Sequence, residues 1–206
     1  MTRRLLQLLV GLAMYGLSIA MFIRAGLGLD PWDVFHQGVA AKTGLSIGTV
    51  VMVTSFLVLL LWIPLRQRPG IGTLLNAVLV GVFADVALAL IPAFSHLVGQ
   101  ATMLVGAILL NGAATACYIG ARLGPGPRDG LMTGLVGRTG WSVRAIRTGI
   151  EVVVLAAGWL LGGSVGVGTV LYALAIGPIV QFLLPRFTVP EPKVTTPEES
   201  EVPLAP

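Results

Sequence analysis

Two aspartates sit in matching surroundings: Asp33 within Leu27–Ser46 (LGLDPWDVFHQGVAAKTGLS) and Asp129 within Leu123–Ser142 (LGPGPRDGLMTGLVGRTGWS), 96 residues apart. In the first turn of a helix a carboxylate complements the positive end of the dipole; the functional alternative is a gate, latch or ion-coupling group present in both halves. Asp85 and Glu151 lie inside apolar stretches, where ionisable side chains are costly and face an interior or a cavity. Asp85 has no obvious local partner, which makes it a candidate for proton coupling or substrate contact as well as for a structural hydrogen bond. Glu151 follows Arg147 by one helical turn, so the pair reads either as part of a pathway or as a buried bridge. Tyr15, Asn76, Asn111, Tyr172 and Gln181 are polar positions that line a pathway or bond one helix to another.

The elements that must position these groups are duplicated. Leu27, Gly28, Pro31, Asp33, Gly38, Thr43, Gly44 and Ser46 fall without a gap on Leu123, Gly124, Pro127, Asp129, Gly134, Thr139, Gly140 and Ser142. At the same offset Gly70, Gly72, Thr73 and Gly81 meet Gly166, Gly168, Thr169 and Gly177, and such a period is the mark of an internal repeat. Asp30 is placed to cap a short helix with Pro31 at its first position and Gly44 at its end. Gly126, Pro127 and Gly140 repeat that arrangement. A helix of about 12 residues is too short to span a bilayer, so each lies at the interface or dips partway in. Gly72-Thr73 and Gly168-Thr169 belong to tight turns capped by threonine; free backbone N–H groups there would also attract an anion, although no phosphate-loop lysine follows.

A mean hydropathy of +0.91, with 55% hydrophobic and 11% charged residues, identifies an integral membrane protein. Six apolar runs approach spanning length: 5–23, 47–63, 73–91, 101–121, 143–161 and 168–184. The first aligns with the fourth, which assigns it to the bundle rather than to a cleaved signal. Cys117 is the single cysteine and excludes an intrachain disulfide. His36 and His96 fall outside any metal-ligand or catalytic pattern. No enzyme activity, metal, cofactor or nucleic-acid partner is expected.

Lysine and arginine set the orientation. With the N-terminus cytoplasmic, Arg3, Arg4, Arg66, Arg68, Arg122, Arg128, Arg138, Arg144, Arg147, Arg186 and Lys193 lie inside, against Arg24 and Lys42 outside. Three spans per repeat then turn the second unit upside down, an inverted-topology duplication. The predicted organisation is an all-α polytopic membrane domain of two three-helix repeats, 1–92 and 93–187, each with a short interfacial helix after its first span. Residues 188–206, rich in Pro, Glu and Thr, are expected to form a disordered cytoplasmic tail.

The G-x-x-P-x-D element after the first span of each half, with G-x-G-T opening the third, resembles the YczE/YyaS/YitT-type bacterial integral membrane proteins, most closely the YczE-like branch. The resemblance covers about residues 5 to 185 and implies the bacterial cytoplasmic membrane; it carries over no substrate or catalytic residue. The expected activity is transport or export of a small solute by alternating access, the protein standing alone in the bilayer or as a homo-oligomer. The candidate pathway residues are Asp85, Glu151, Asn76, Asn111 and Gln181. The motif residues Pro31, Asp33, Pro127, Asp129, Gly72, Thr73, Gly168 and Thr169 act as gates or structural elements. The competing expectation is a membrane scaffold that docks an acidic partner or anionic lipid on the five arginines from Arg122 to Arg147.

Overall fold

A computed structural model describes residues 1–190 and is helical throughout that range, in the order α1 (Thr2–Ala25), α2 (Pro31–Thr43), α3 (Ile47–Leu65), α4 (Ile71–Leu90), α5 (Leu97–Gly120), α6 (Pro127–Thr139), α7 (Val143–Leu160) and α8 (Val167–Phe187). The helix boundaries follow local chemistry. Asp30 caps α2 by accepting from the Asp33 backbone N–H, Pro31 opens it, and Gly44 closes it in the left-handed conformation. α6 has Pro127 and left-handed Gly140 in the same places. Ser46 and Ser142 cap α3 and α7 through their hydroxyls. α8 runs unbroken through Gly177 and Pro178.

Among the described residues five helices are long and apolar enough to cross a membrane: α1, α3, α4, α5 and α8. The sequence predicted six spans; α7, the remaining one, has 18 residues and carries Arg144, Arg147 and Glu151, and it is not among the five. The outer surface of the bundle is apolar, with Phe56, Leu60, Val86, Leu109, Val153, Trp159 and Leu174 all exposed. This is the expected face toward lipid, where association rests on packing and polar contacts rather than on hydrophobic burial.

α1 and α5 form the centre, with α4 against α1 and α8 against α5. Matched glycines seat these outer helices. A Cβ on Gly16 would collide with Val80, Phe83 and Ala84 of α4, and one on its counterpart Gly112 with Ile179 of α8. The short helices cross over, α2 onto α7 and α6 onto α3. Here the two halves differ by an exchange of bulk. On one side buried Trp62 fills the space beside Gly130; on the other Gly158, the counterpart of Trp62, lies against Val34, the counterpart of Gly130.

The turns also interlock across the halves. The Gly72 N–H donates to the Leu123 carbonyl and the Gly168 N–H to the Leu27 carbonyl, both at 2.8 Å. Thr73 and Thr169 each accept from the N–H of the glycine three residues earlier, so the capping reading of these motifs stands and their glycines allow close backbone approach. Of the segment expected to begin the tail, Val189 is buried and donates its N–H to the Gly120 carbonyl. The remainder of that expectation, 191–206, lies outside the described residues.

Candidate functional site

Asp30 and Pro31 at the start of α2, and Arg128 and Asp129 at the start of α6, meet at the middle of the bundle. Together with side chains of α1, α5, α7 and α8 they enclose a cavity of about 220 Å³. A second cavity of about 50 Å³ lies on the other side of Arg128 and Asp129. The walls correspond: Arg147, Glu151, Tyr172 and Ile176 line the larger space, and Val51, Ser55, Asn76 and Val80, their counterparts 96 residues earlier, line the smaller. Tyr15, Tyr118, Arg128 and Asp129 border both.

The difference in size follows from the outer helices. α3 and α4 pack tightly, with Gly48 backed onto the Gly81 carbonyl. Asp85 of α4 holds the start of α3, accepting from Ser46 Oγ at 2.5 Å and from the Gly48 N–H at 2.7 Å. α7 and α8 do not pack in this way, and the space beside Gly177 is open. Arg144 stands where α3 has Gly48, and Gln181 where α4 has Asp85.

Charge is concentrated at the junction of the short helices. Asp30, Asp33 and His36 are all about 1% exposed. Asp33 Oδ1 lies 3.0 Å from His36 Nδ1 and 3.9 Å from Arg128. The Arg128 guanidinium stacks 4.8 Å above the ring of Trp32, its own counterpart in the first half; a stacked, partly desolvated pair of this kind contributes about 1–2 kcal/mol. Asp129 accepts from the Tyr118 hydroxyl at 2.6 Å and from the Gly126 N–H at 3.1 Å. The second oxygens of Asp30 and Asp33 have no hydrogen-bond partner among the described residues.

Burial, reinforced by the Asp33 carboxylate and opposed by Arg128, pushes Asp30 up to about 7. Asp33 and Asp129 are also raised, chiefly by burial, against the pull of Arg128 on the first and of the Tyr118 hydrogen bond on the second. Burial, with Arg128 nearby, holds His36 well below its usual range and therefore uncharged.

A family model described as a family of unknown function (DUF6198) matches residues 2–185. The chain belongs to this family. An uncharacterized protein of Haemophilus influenzae is 40% identical over 177 residues, covering 86% of this chain and 81% of the relative. The uncharacterized membrane protein YczE of Bacillus subtilis is 38% identical over 173 residues, 84% of this chain and 80% of the relative. YyaS of the same organism is 25% identical over 180 residues, 85% and 90%. No solved structure matches. The DUF6198 match and the YczE and YyaS relatives agree with the resemblance carried by the paired motifs, and a relative named as a membrane protein joins the apolar helices in supporting a membrane location.

Among the sequence-derived candidates in this DUF6198 chain, Glu151 lines the larger cavity, bound to Arg147 at 2.9 Å, and Asn76 lines the smaller. Asn111 sits in the α1–α5 crossing, donating to Ser18 Oγ at 3.0 Å and accepting from Tyr172 at 3.3 Å. Asp85, with no obvious partner among its sequence neighbours, is engaged at the start of α3, and Gln181 is exposed. Pro31 lines the larger cavity, Pro127 the smaller, and Asp129 both. Sequence reasoning missed Asp30 as more than a cap and Trp32 altogether, and read Arg128 only as one of the inner arginines. The available signal was that these three positions break a repeat that is otherwise kept around them.

Proposed function

We propose that the protein moves a small solute across the bacterial cytoplasmic membrane by alternating access between two inverted repeats. The observation that supports this most is the pair of matched walls around unequal cavities, about 220 and 50 Å³, divided by Arg128 and Asp129. Two-fold related packings of one sequence plan, one expanded and one collapsed, are what a rocking transporter passes through as its halves exchange roles. In this reading α7 is the sixth crossing. Its charged face (Arg147, Glu151) turns to the cavity, while Val152, Val153 and Trp159 face lipid. The Asp85–Ser46 contact seals the outer side, and the parted α7 and α8 open the inner one.

Of the five arginines on which the scaffold reading rests, three are engaged within the chain. Arg128 points into the site, Arg147 binds Glu151, and Arg138 donates to the Pro64 carbonyl at 2.8 Å.

Inverted topology is tested at Lys42 and Arg138, which are matched and both exposed. In a Cys117→Ser background with both termini cytoplasmic, Lys42→Cys should react with a membrane-impermeant thiol reagent on intact cells. Arg138→Cys should react only after the cells are opened. Reaction of both from one side would make the repeats parallel and end this reading.

A further inference from the structure

The larger cavity carries more negative than positive groups. Glu151 is matched by Arg147, which leaves Arg128 as the cation facing Asp30, Asp33 and Asp129, while buried His36 is held neutral. Asp129 is satisfied by Tyr118 and Gly126, and Asp33 Oδ1 by His36. Asp30 is different: it lines the cavity, it is about 1% exposed, and its Oδ1 is used by the Asp33 N–H while its Oδ2 has no partner. A buried carboxylate oxygen left unbonded is costly and is relieved by a charged donor. The rest of the wall is largely apolar, with the rings of Tyr15, Trp32, Tyr118 and Tyr172 beside aliphatic side chains such as Ile119, Ile150 and Ile176, and one cation, Arg128, already stacks on Trp32.

We propose that this cavity binds a small organic cation, an amine with an apolar body, whose ammonium pairs with Asp30 while its body packs among the rings of Tyr15, Trp32, Tyr118 and Tyr172. Three features converge on that class. An ammonium beside Asp30 favours its ionised form, and the lining then holds three carboxylates, Asp30, Asp129 and Glu151, against Arg128 and Arg147, a balance that attracts cations over anions. Ring faces attract an ammonium and accept hydrocarbon. The volume, about 220 Å³, admits a single-ring or short aliphatic amine. Arg128 is the resident cation beside which the ligand must fit, so a dication is disfavoured. As a statement about cargo, the assignment rests on the transport reading; as a statement about binding, it stands on the cavity alone.

Three probes that share a ring and differ in charge test it: benzylammonium, benzyl alcohol and benzoate, titrated calorimetrically into the purified full-length protein in detergent at neutral pH. Benzylammonium is expected to bind at one site at least 10-fold more tightly than either of the others. Asp30→Asn, which keeps an acceptor for the α2 cap, should remove that preference. Trp32→Leu, which keeps every carboxylate, should weaken benzylammonium while leaving it ahead of benzoate. Benzoate binding as well as benzylammonium, no saturable benzylammonium binding below about 10 mM, or a preference that survives Asp30→Asn would each overturn the proposal. Counterflow of labelled benzylamine in proteoliposomes separates the two claims. Binding without movement removes the transport reading and leaves the site, whereas movement of benzoate keeps transport and removes the cation assignment.

Discussion

Trp62→Ala should lower the stability of the protein in detergent by about 3 kcal/mol, the usual scale for emptying a buried aromatic site. It also removes the bond from Trp62 Nε1 to the Pro127 carbonyl, 3.0 Å long, which anchors the first turn of α6 beside Arg128. The opposite change is as severe: any side chain at Gly130 runs into the Trp62 ring, so Gly130→Val should not accumulate as folded protein. The other half of the molecule solves the matched contact without a large ring, since there Gly158 lies against the backbone of Val34 and Phe35. The double variant Trp62→Gly with Gly130→Val puts the same residue types at the matched positions and should restore the folded protein that Gly130→Val does not accumulate. Equal loss in the single and double variants would show that the two interfaces are not alternative solutions of one packing problem.

Gly28→Ala and Gly124→Ala should each lose most of the folded protein recovered from membranes. Gly28 has φ +109 and Gly124 φ +124, where a side chain costs of order 1–3 kcal/mol in backbone strain. A Cβ would also press Gly28 into the backbone of Gly166 and Gly124 into that of Gly70. Both substitutions therefore strike the interlocked turns, in which Gly168 donates to Leu27 and Gly72 to Leu123. Monodisperse protein at wild-type yield from either variant would mean that this cross-connection is dispensable.

Much of this architecture was legible in the sequence because it depends on local rules. Proline at a helix start, serine at a cap and glycine in a left-handed end act within a few residues, so α2, α6 and the starts of α3 and α7 were placed before the structure. The repeat carried the rest of the plan, and Glu151, Asn76 and Asp129 do line the central spaces. Long-range partners were not readable: Asp85 finds Ser46 and Gly48 more than 35 residues away, and nothing in its neighbourhood announces them. Gln181 shares the position of Asp85 in the repeat but is exposed, in the half where α7 and α8 are parted.

Divergence was the least legible signal. Trp32 and Arg128 occupy matched positions and stack on each other. Two arginines at such a meeting point would repel, whereas an arginine and a ring attract. The loss of likeness at that position is therefore what complementarity demands, although in the sequence it looked like drift. Asp30 is likewise answered by Gly126 rather than by a second aspartate, which leaves the larger cavity with a carboxylate that the smaller one lacks.

Alternating access requires that the two matched cavities take turns. In a Cys117→Ser background, single cysteines at Ser55 and Glu151, matched wall positions of the smaller and larger spaces, can be titrated with an impermeant thiol reagent from each side of the membrane. Position 151 should react from the cytoplasmic side and position 55 more slowly from outside. Asp85→Ala, which removes both bonds holding α4 to the start of α3, should raise the rate at 55 and lower it at 151. Reaction at 151 alone, with position 55 silent from outside in both backgrounds, would describe a fixed cytoplasmic vestibule and contradict alternating access.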